Sequence, residues 1–184
     1  MIILSIVLGI LLGLARGGKL SNINKLKVNY FLVLIIAVIA NVILLFISTK
    51  FNNSISKLIF DNFGYINIIT FIIIIAVLSA NREIKYSSLI LSGFILNFLP
   101  IFFSKGKMPV SAKAIIKAKD LDSLILLNEG RIATHTIMTN ETKFKIFADT
   151  IAIKTFHFVI SAGDILIGIG LILLISHLMV GERT

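Results

Sequence analysis

The chain contains no cysteine, so it has no disulfide framework, no thiolate metal site and no cysteine nucleophile. Its redox compartment cannot be read from thiols. Charge is scarce as well: 15% of the 184 residues are charged, where soluble domains carry roughly a quarter. Acids are the scarcest, with nine Asp and Glu against 18 Lys and Arg, for a formal net charge of +9. In a soluble domain that excess would point to nucleic acid. Here the basic residues flank apolar runs, where membrane topology and anionic headgroups account for them, and nucleic acid is not an expected partner. No two histidines have metal-ligand spacing, which argues against a structural metal. No cofactor is expected either. The sequence also lacks an internal repeat and a low-complexity linker.

What remains is apolar: 57% of residues are hydrophobic, with a mean hydropathy of +1.01. Runs of that kind read as an all-α, polytopic membrane bundle in a single domain covering 1–184, with membrane lipids as its surroundings. Five spans are expected, at about 2–15, 30–48, 65–80, 87–103 and 156–180. The first run is short and is followed, not preceded, by Arg16 and Lys19, the reverse of a secretory signal, so it reads as a retained span. Ile55, Leu58, Ile59 and Phe63 recur at helical spacing in the polar stretch before the third span, which suits a short interfacial helix. Residues 104–155 hold nine of the 18 basic residues and form a long, partly helical segment, with Ser111 able to cap a short helix. Basic residues in short loops (Arg16, Lys19, Lys25, Lys27, Arg82, Lys85 and Arg183 against Lys50 and Lys57) orient the chain in the cell membrane. The N-terminus and residues 104–155 are then outside, and the C-terminus is cytoplasmic.

The last apolar run carries one acid, Asp164, and an acid inside a span marks a functional site by default. On a continuous helix His157, Ser161, Asp164 and Gly168 fall on one face, and Gly93, Asn97 and Pro100 form a matching small and polar face on the fourth span. Two readings fit. A single Asp can accept hydrogen bonds from Asn97 or a hydroxyl and hold helices together. Alternatively Asp149, fifteen residues earlier, is a second carboxylate, and two carboxylates brought together share a proton and can activate water. A third candidate, Lys107, Met108 and Pro109 within residues 106–111, could present a lysine and backbone N–H groups to a lipid phosphate, although a rigid exit turn explains it better.

Several of these residues also carry a resemblance. Arg16-Gly17-Gly18-Lys19-Leu20, Asn97, residues 106–111, His135, Asp149 and the Ser161-Ala162-Gly163-Asp164 segment resemble an uncharacterised bacterial membrane family, domain of unknown function 5317. That family brings no established activity. More locally, Asp149-Thr150-Ile151, Phe156-His157-Phe158 and Ala162-Gly163-Asp164 are similar to the end of lipoprotein signal peptidases. The likeness implies a catalytic dyad of Asp149 and Asp164 at the outer leaflet, supported by Asn97, His135, His157 and Ser161. It would act on a membrane-anchored peptide or lipid. Ser161 stands where that family has asparagine, and its glycine-asparagine and aspartate-glutamine motifs are missing. On balance the sequence favours a non-enzymatic scaffold, accessory or transport-related component with a membrane protein partner. A membrane aspartyl hydrolase is the alternative.

Overall fold

A computed structural model describes residues 1–181; Arg183, counted above among the basic residues, lies outside the described residues. The chain is mostly helical. In order it forms α1 (Ile2–Ala15), α2 (Phe31–Lys50), α3 (Ser54–Ser79), α4 (Ser87–Phe103), β1 (Met108–Val110), α5 (Ala112–Ala118), α6 (Leu121–Asn128), β2 (His135–Ile137), β3 (Ile151–Ile153), β4 (Phe158–Ile160) and α7 (Ala162–Val180). Three helices, α2, α3 and α7, are long and apolar enough to cross a membrane. The apolar helices α1 and α4 are shorter, at 14 and 17 residues.

Helix α7 is the axis of the bundle, with α1 on one side and α4 on the other. Small residues set both contacts. Ser5, Gly9 and Gly13 recur every four residues, are buried, and bring α1 against α7 at Gly168, Ile172 and Met179. Helix α4 runs the opposite way, with Ile90 at Gly170 and Gly93 at Gly163. Without side chains in the way the backbones approach closely, which is how helices associate where lipid leaves no hydrophobic drive. Helix α2 packs on α3. Asn41 donates to Thr70 Oγ1 at 3.0 Å, the interhelical bond its position in an apolar run suggests. Otherwise α2 is bare: Leu32 is 70% exposed and Val42 59%, as a lipid-facing helix would be.

The helix ends fall at two ends of the bundle. At one, Arg16 Nη1 donates to the buried Ser176 Oγ (3.0 Å), and the Met179 carbonyl accepts from Lys19 N–H (2.8 Å) and Asn22 Nδ2 (2.8 Å). Nearby, Asn81 is 2% exposed and bonds both ways with the backbone of Asn29, joining the end of α3 to the start of α2. At the other end lies a cap made of the residues between α4 and α7. Its entry is a tight crossing: Gly106 has φ +83°, a Cβ on it would strike the backbone of Gly64 in α3, and a Cβ on Gly64 would strike the Lys105 carbonyl.

The structure corrects the expectations in three places. The fold is mostly helical, and the cap adds two short two-stranded sheets that were not foreseen, β1–β2 parallel and β3–β4 antiparallel. The polar stretch before the third span is not a separate interfacial helix. Asn53 caps residue Ser56 in a reciprocal box and the helix runs unbroken for 26 residues. Last, the final helix starts at Ala162, not 156. Phe158-Val159-Ile160 is a branched and aromatic run that pairs with β3, and Ser161 then caps the helix with Asp164 in a reciprocal box.

Candidate functional site

The site is built by β1. Its residues pair in parallel with β2, Met108 opposite His135, and on the other side Val110 bridges to Asp149. Asp149 N–H donates to the Pro109 carbonyl (3.0 Å), and the Asp149 carbonyl accepts from Ser111 N–H (2.9 Å). A three-residue strand therefore holds the histidine and the aspartate beside each other. Their side chains meet, His135 Nε2 to Asp149 Oδ2, at 3.5 Å. On its other nitrogen, His135 Nδ1 lies 2.8 Å from Thr134 Oγ1.

This explains residues 106–111. Met108 and Pro109 are buried in the strand. Lys107 Nζ lies 5.7 Å from the centre of the Phe60 ring. Ser111 accepts from Ala114 N–H and starts α5, as its position before an apolar helix suggests.

Asp149 is 5% exposed, and its Oδ1 has no hydrogen-bond partner among the described residues. Burial pushes its carboxyl above the ordinary value; the His135 hydrogen bond and charge oppose that, and the nearby Asp164 adds to it. An aspartate so placed is held back from ionising.

Asp164 is in a different condition. It is half-buried, and both oxygens are engaged: Oδ1 accepts from Asn97 Nδ2 (2.9 Å) and Oδ2 from Ser161 N–H (3.1 Å). Ser161 Oγ donates to Asn97 Oδ1 (2.6 Å) and accepts from Asp164 N–H (2.9 Å). Asn97, Ser161 and Asp164 thus close a ring across the α4–α7 crossing, where Gly93 and Gly163 leave room for it. The matching polar faces foreseen on the two helices do meet.

The two aspartates, with His135, line a cavity of about 580 Å³ beneath the cap. Its walls are the start of α1 (Met1, Ile2, Ile3), β4, and parts of α5 and α6. The same three side chains also line a smaller cavity of about 210 Å³, together with Asn97 and Thr134. His157 is not brought there. It adopts φ +54°, is exposed, and its Nδ1 lies 3.4 Å from the Lys119 carbonyl, because the helix that would have carried it into the stripe has not yet begun. Sequence reasoning missed Thr134 and Asp120, which also face these cavities. It also missed the Ser5-Gly9-Gly13 stripe, whose regular spacing was there to be read.

These features define a mostly helical protein with membrane-length apolar helices and an acid-bearing cavity under a small mixed cap. The chain belongs to a family described as a family of unknown function (DUF5317), which matches residues 25–176. Arg16–Gly17–Gly18–Lys19–Leu20 lies before the matched stretch. No curated protein and no solved structure matches the chain. The local similarity to lipoprotein signal peptidases therefore rests on the quoted residues alone.

Proposed function

We propose that this chain is a five-span membrane protein whose capped cavity is an acid–base site for hydrolysis of a membrane-anchored peptide or lipid. Helices α1 and α4, about 21 and 26 Å long at 1.5 Å per residue, span with local thinning of the bilayer. The cap faces outward. What supports that orientation is the gathering of Arg16, Lys19, Lys27, Arg82 and Lys85 in the short connections at the opposite end.

One observation carries the hydrolytic reading: a buried aspartate with a free oxygen and a second aspartate line the same cavity. In the proposed reaction Asp164 takes a proton from water as the water oxygen attacks the substrate carbonyl. Asp149, held protonated by burial, gives its proton to the leaving group as the carbonyl–leaving-group bond breaks. The proton that Asp164 has taken then passes through solvent to Asp149, beside which His135 stands, so that both carboxyls return to their starting states. Lateral access lies beside α1, where Ile3 is 79% exposed next to the cavity.

A second reading, a non-enzymatic scaffold or accessory component, is favoured by the closed ring around Asp164, whose bonds are those of a structural anchor. The variants Asp149→Asn and Asp164→Asn separate the two. Native membranes carrying each would be compared by mass spectrometry for uncleaved lipid-anchored or membrane-anchored species. Accumulation in folded Asp149→Asn supports hydrolysis. Unchanged membranes in that variant, with unfolding of Asp164→Asn alone, support the anchor.

A further inference from the structure

We propose that residues 139–147 of the cap form a loop that settles into the outer leaflet and selects anionic phospholipid headgroups. The proposal rests on the five-span reading above and is independent of the hydrolytic one. The single helical turn of this segment, Lys145–Phe147, packs against both α4 and α7. A row of aromatic rings passes from the helix onto the loop. Phe102 and Phe103 close α4, the Phe103 ring lies 5.2 Å from that of Phe144, and Phe144 lies 6.4 Å from Phe147. The row is open to the surroundings: Phe102, Phe103 and Phe144 are exposed, and Ile146 is 75% exposed. Phe144 also holds φ +55°, a left-handed backbone that is costly for an aromatic residue. The loop is thus held in this shape although the shape leaves Ile146 bare.

The occupant that fits this surface is lipid. Helix α4 is about 26 Å long at 1.5 Å per residue, short of a hydrocarbon core of about 30 Å. The loop carries the apolar surface onward from Phe103, the last residue of that helix. Cations alternate with apolar side chains in Lys143-Phe144-Lys145-Ile146, the pattern of a segment lying at the interface with its amines among headgroups. Lys143 Nζ lies 4.9 Å from the centre of the Phe103 ring, and Lys145 Nζ donates to the Asn140 carbonyl at 2.8 Å. Neither amine pairs with an acid among the described residues, and Glu141 is the one acid of the segment. Both charges are left for an external anion. Beside exposed rings at a bilayer surface, that anion is a lipid phosphate whose headgroup carries no cation of its own.

The chain has no tryptophan, so Ile146→Trp in the full chain supplies a lone fluorophore at an exposed position. The variant would be placed in phosphatidylcholine nanodiscs carrying a minor fraction of acyl-brominated phosphatidylcholine or phosphatidylglycerol. Bromines near the headgroup end of the acyl chains should quench it more than bromines near the methyl end. Brominated phosphatidylglycerol should associate about fivefold more tightly than brominated phosphatidylcholine, the scale of one lysine at a membrane surface. Adding Lys143→Gln and Lys145→Gln should abolish that ratio while quenching persists. Quenching by aqueous acrylamide and not by brominated lipid overturns the proposal. Shielding from both quenchers also overturns it, and is the result if a second copy or another protein covers the loop. Equal quenching by the two brominated lipids overturns the selection of anionic headgroups. Ile39→Trp, on the bare surface of α2, separates this proposal from the span reading. Quenching by deep bromines there, with none at Ile146→Trp, removes the loop contact and keeps the spans. The reverse pattern keeps the loop contact and removes α2 as a span.

Discussion

The two ends of α7 are both tied by polar side chains, and they differ in what is left over. At its C-terminal end Arg16 reaches the Ser176 hydroxyl, and the Met179 carbonyl takes two donors, from Lys19 and Asn22. Those bonds replace the water that a helix terminus would otherwise need. At the N-terminal end the Asn97–Ser161–Asp164 ring does the same work, and then one acid more is present than the ring uses. Asp149 has a buried oxygen with no partner and faces a cavity. A polar group that satisfies a helix end is explained by the fold. A buried one that satisfies nothing asks for a ligand.

The sharpest way to break this contrast is substitution of the surplus acid. Asp149→Asn keeps the shape and removes the ionisable proton. Turnover of membrane-anchored species should fall by about 100-fold or more, the scale of losing one general acid, while stability stays within about 1 kcal/mol. Asn22→Ala at the opposite end should leave turnover unchanged. If the two variants reduce turnover alike, the ends do not differ in kind.

Close packing gives a second comparison. A Cβ at Gly163 would meet the Gly93 carbonyl oxygen at 2.6 Å and collide with the Asn97 side chain, neither of which can yield without opening the ring. At Gly13 the obstacle is mainly the flexible thioether of Met179. Gly163→Ala should therefore destabilise by about 1–3 kcal/mol, and Gly13→Ala by less. Unfolding midpoints in detergent check the order, and a larger loss at Gly13 would mean the α1 contact is the tighter one.

Removing a single donor is milder. Asn22→Ala leaves the Met179 carbonyl with the Lys19 N–H alone, for a loss of about 1 kcal/mol. The same midpoint measurement reads it, and no change at all would show that water serves that carbonyl equally well.

The apolar runs were legible because a bilayer-length stretch of Ile and Leu has few other uses, and the pairing of the Gly93–Asn97 and Asp164 faces followed from helical spacing. The start of α7 was not legible. Hydropathy treats Phe158-Val159-Ile160 as more helix, and only their pairing with Ile151-Ala152-Ile153 makes them a strand. That error carried His157 into a site it does not reach. Nor did the sequence reveal that Met108-Pro109-Val110 sets His135 and Asp149 side by side, since this depends on three segments up to 41 positions apart converging (Met108 to Asp149, 149 − 108). The lone Asp164 drew attention as the membrane acid. The structure makes Asp149 the exceptional one.

The smallest effect is one of pH, and it tests Asp149 without a substrate. Burial, and secondarily the Asp164 charge, raise its native value above the unfolded one, with His135 opposing; Asp120 also lines the cavity. A carboxyl raised on folding favours the native state where it is protonated in both states. That contribution is complete below the ordinary carboxylate range and is lost as pH rises through the raised native value. Wild type should therefore lose stability relative to Asp149→Asn between those two limits, and the gap should then stay constant. Midpoints recorded against pH for both proteins give the difference directly. Parallel curves would mean that Asp149 ionises as freely as an exposed acid, and the distinction between the two ends of α7 would then rest on geometry alone.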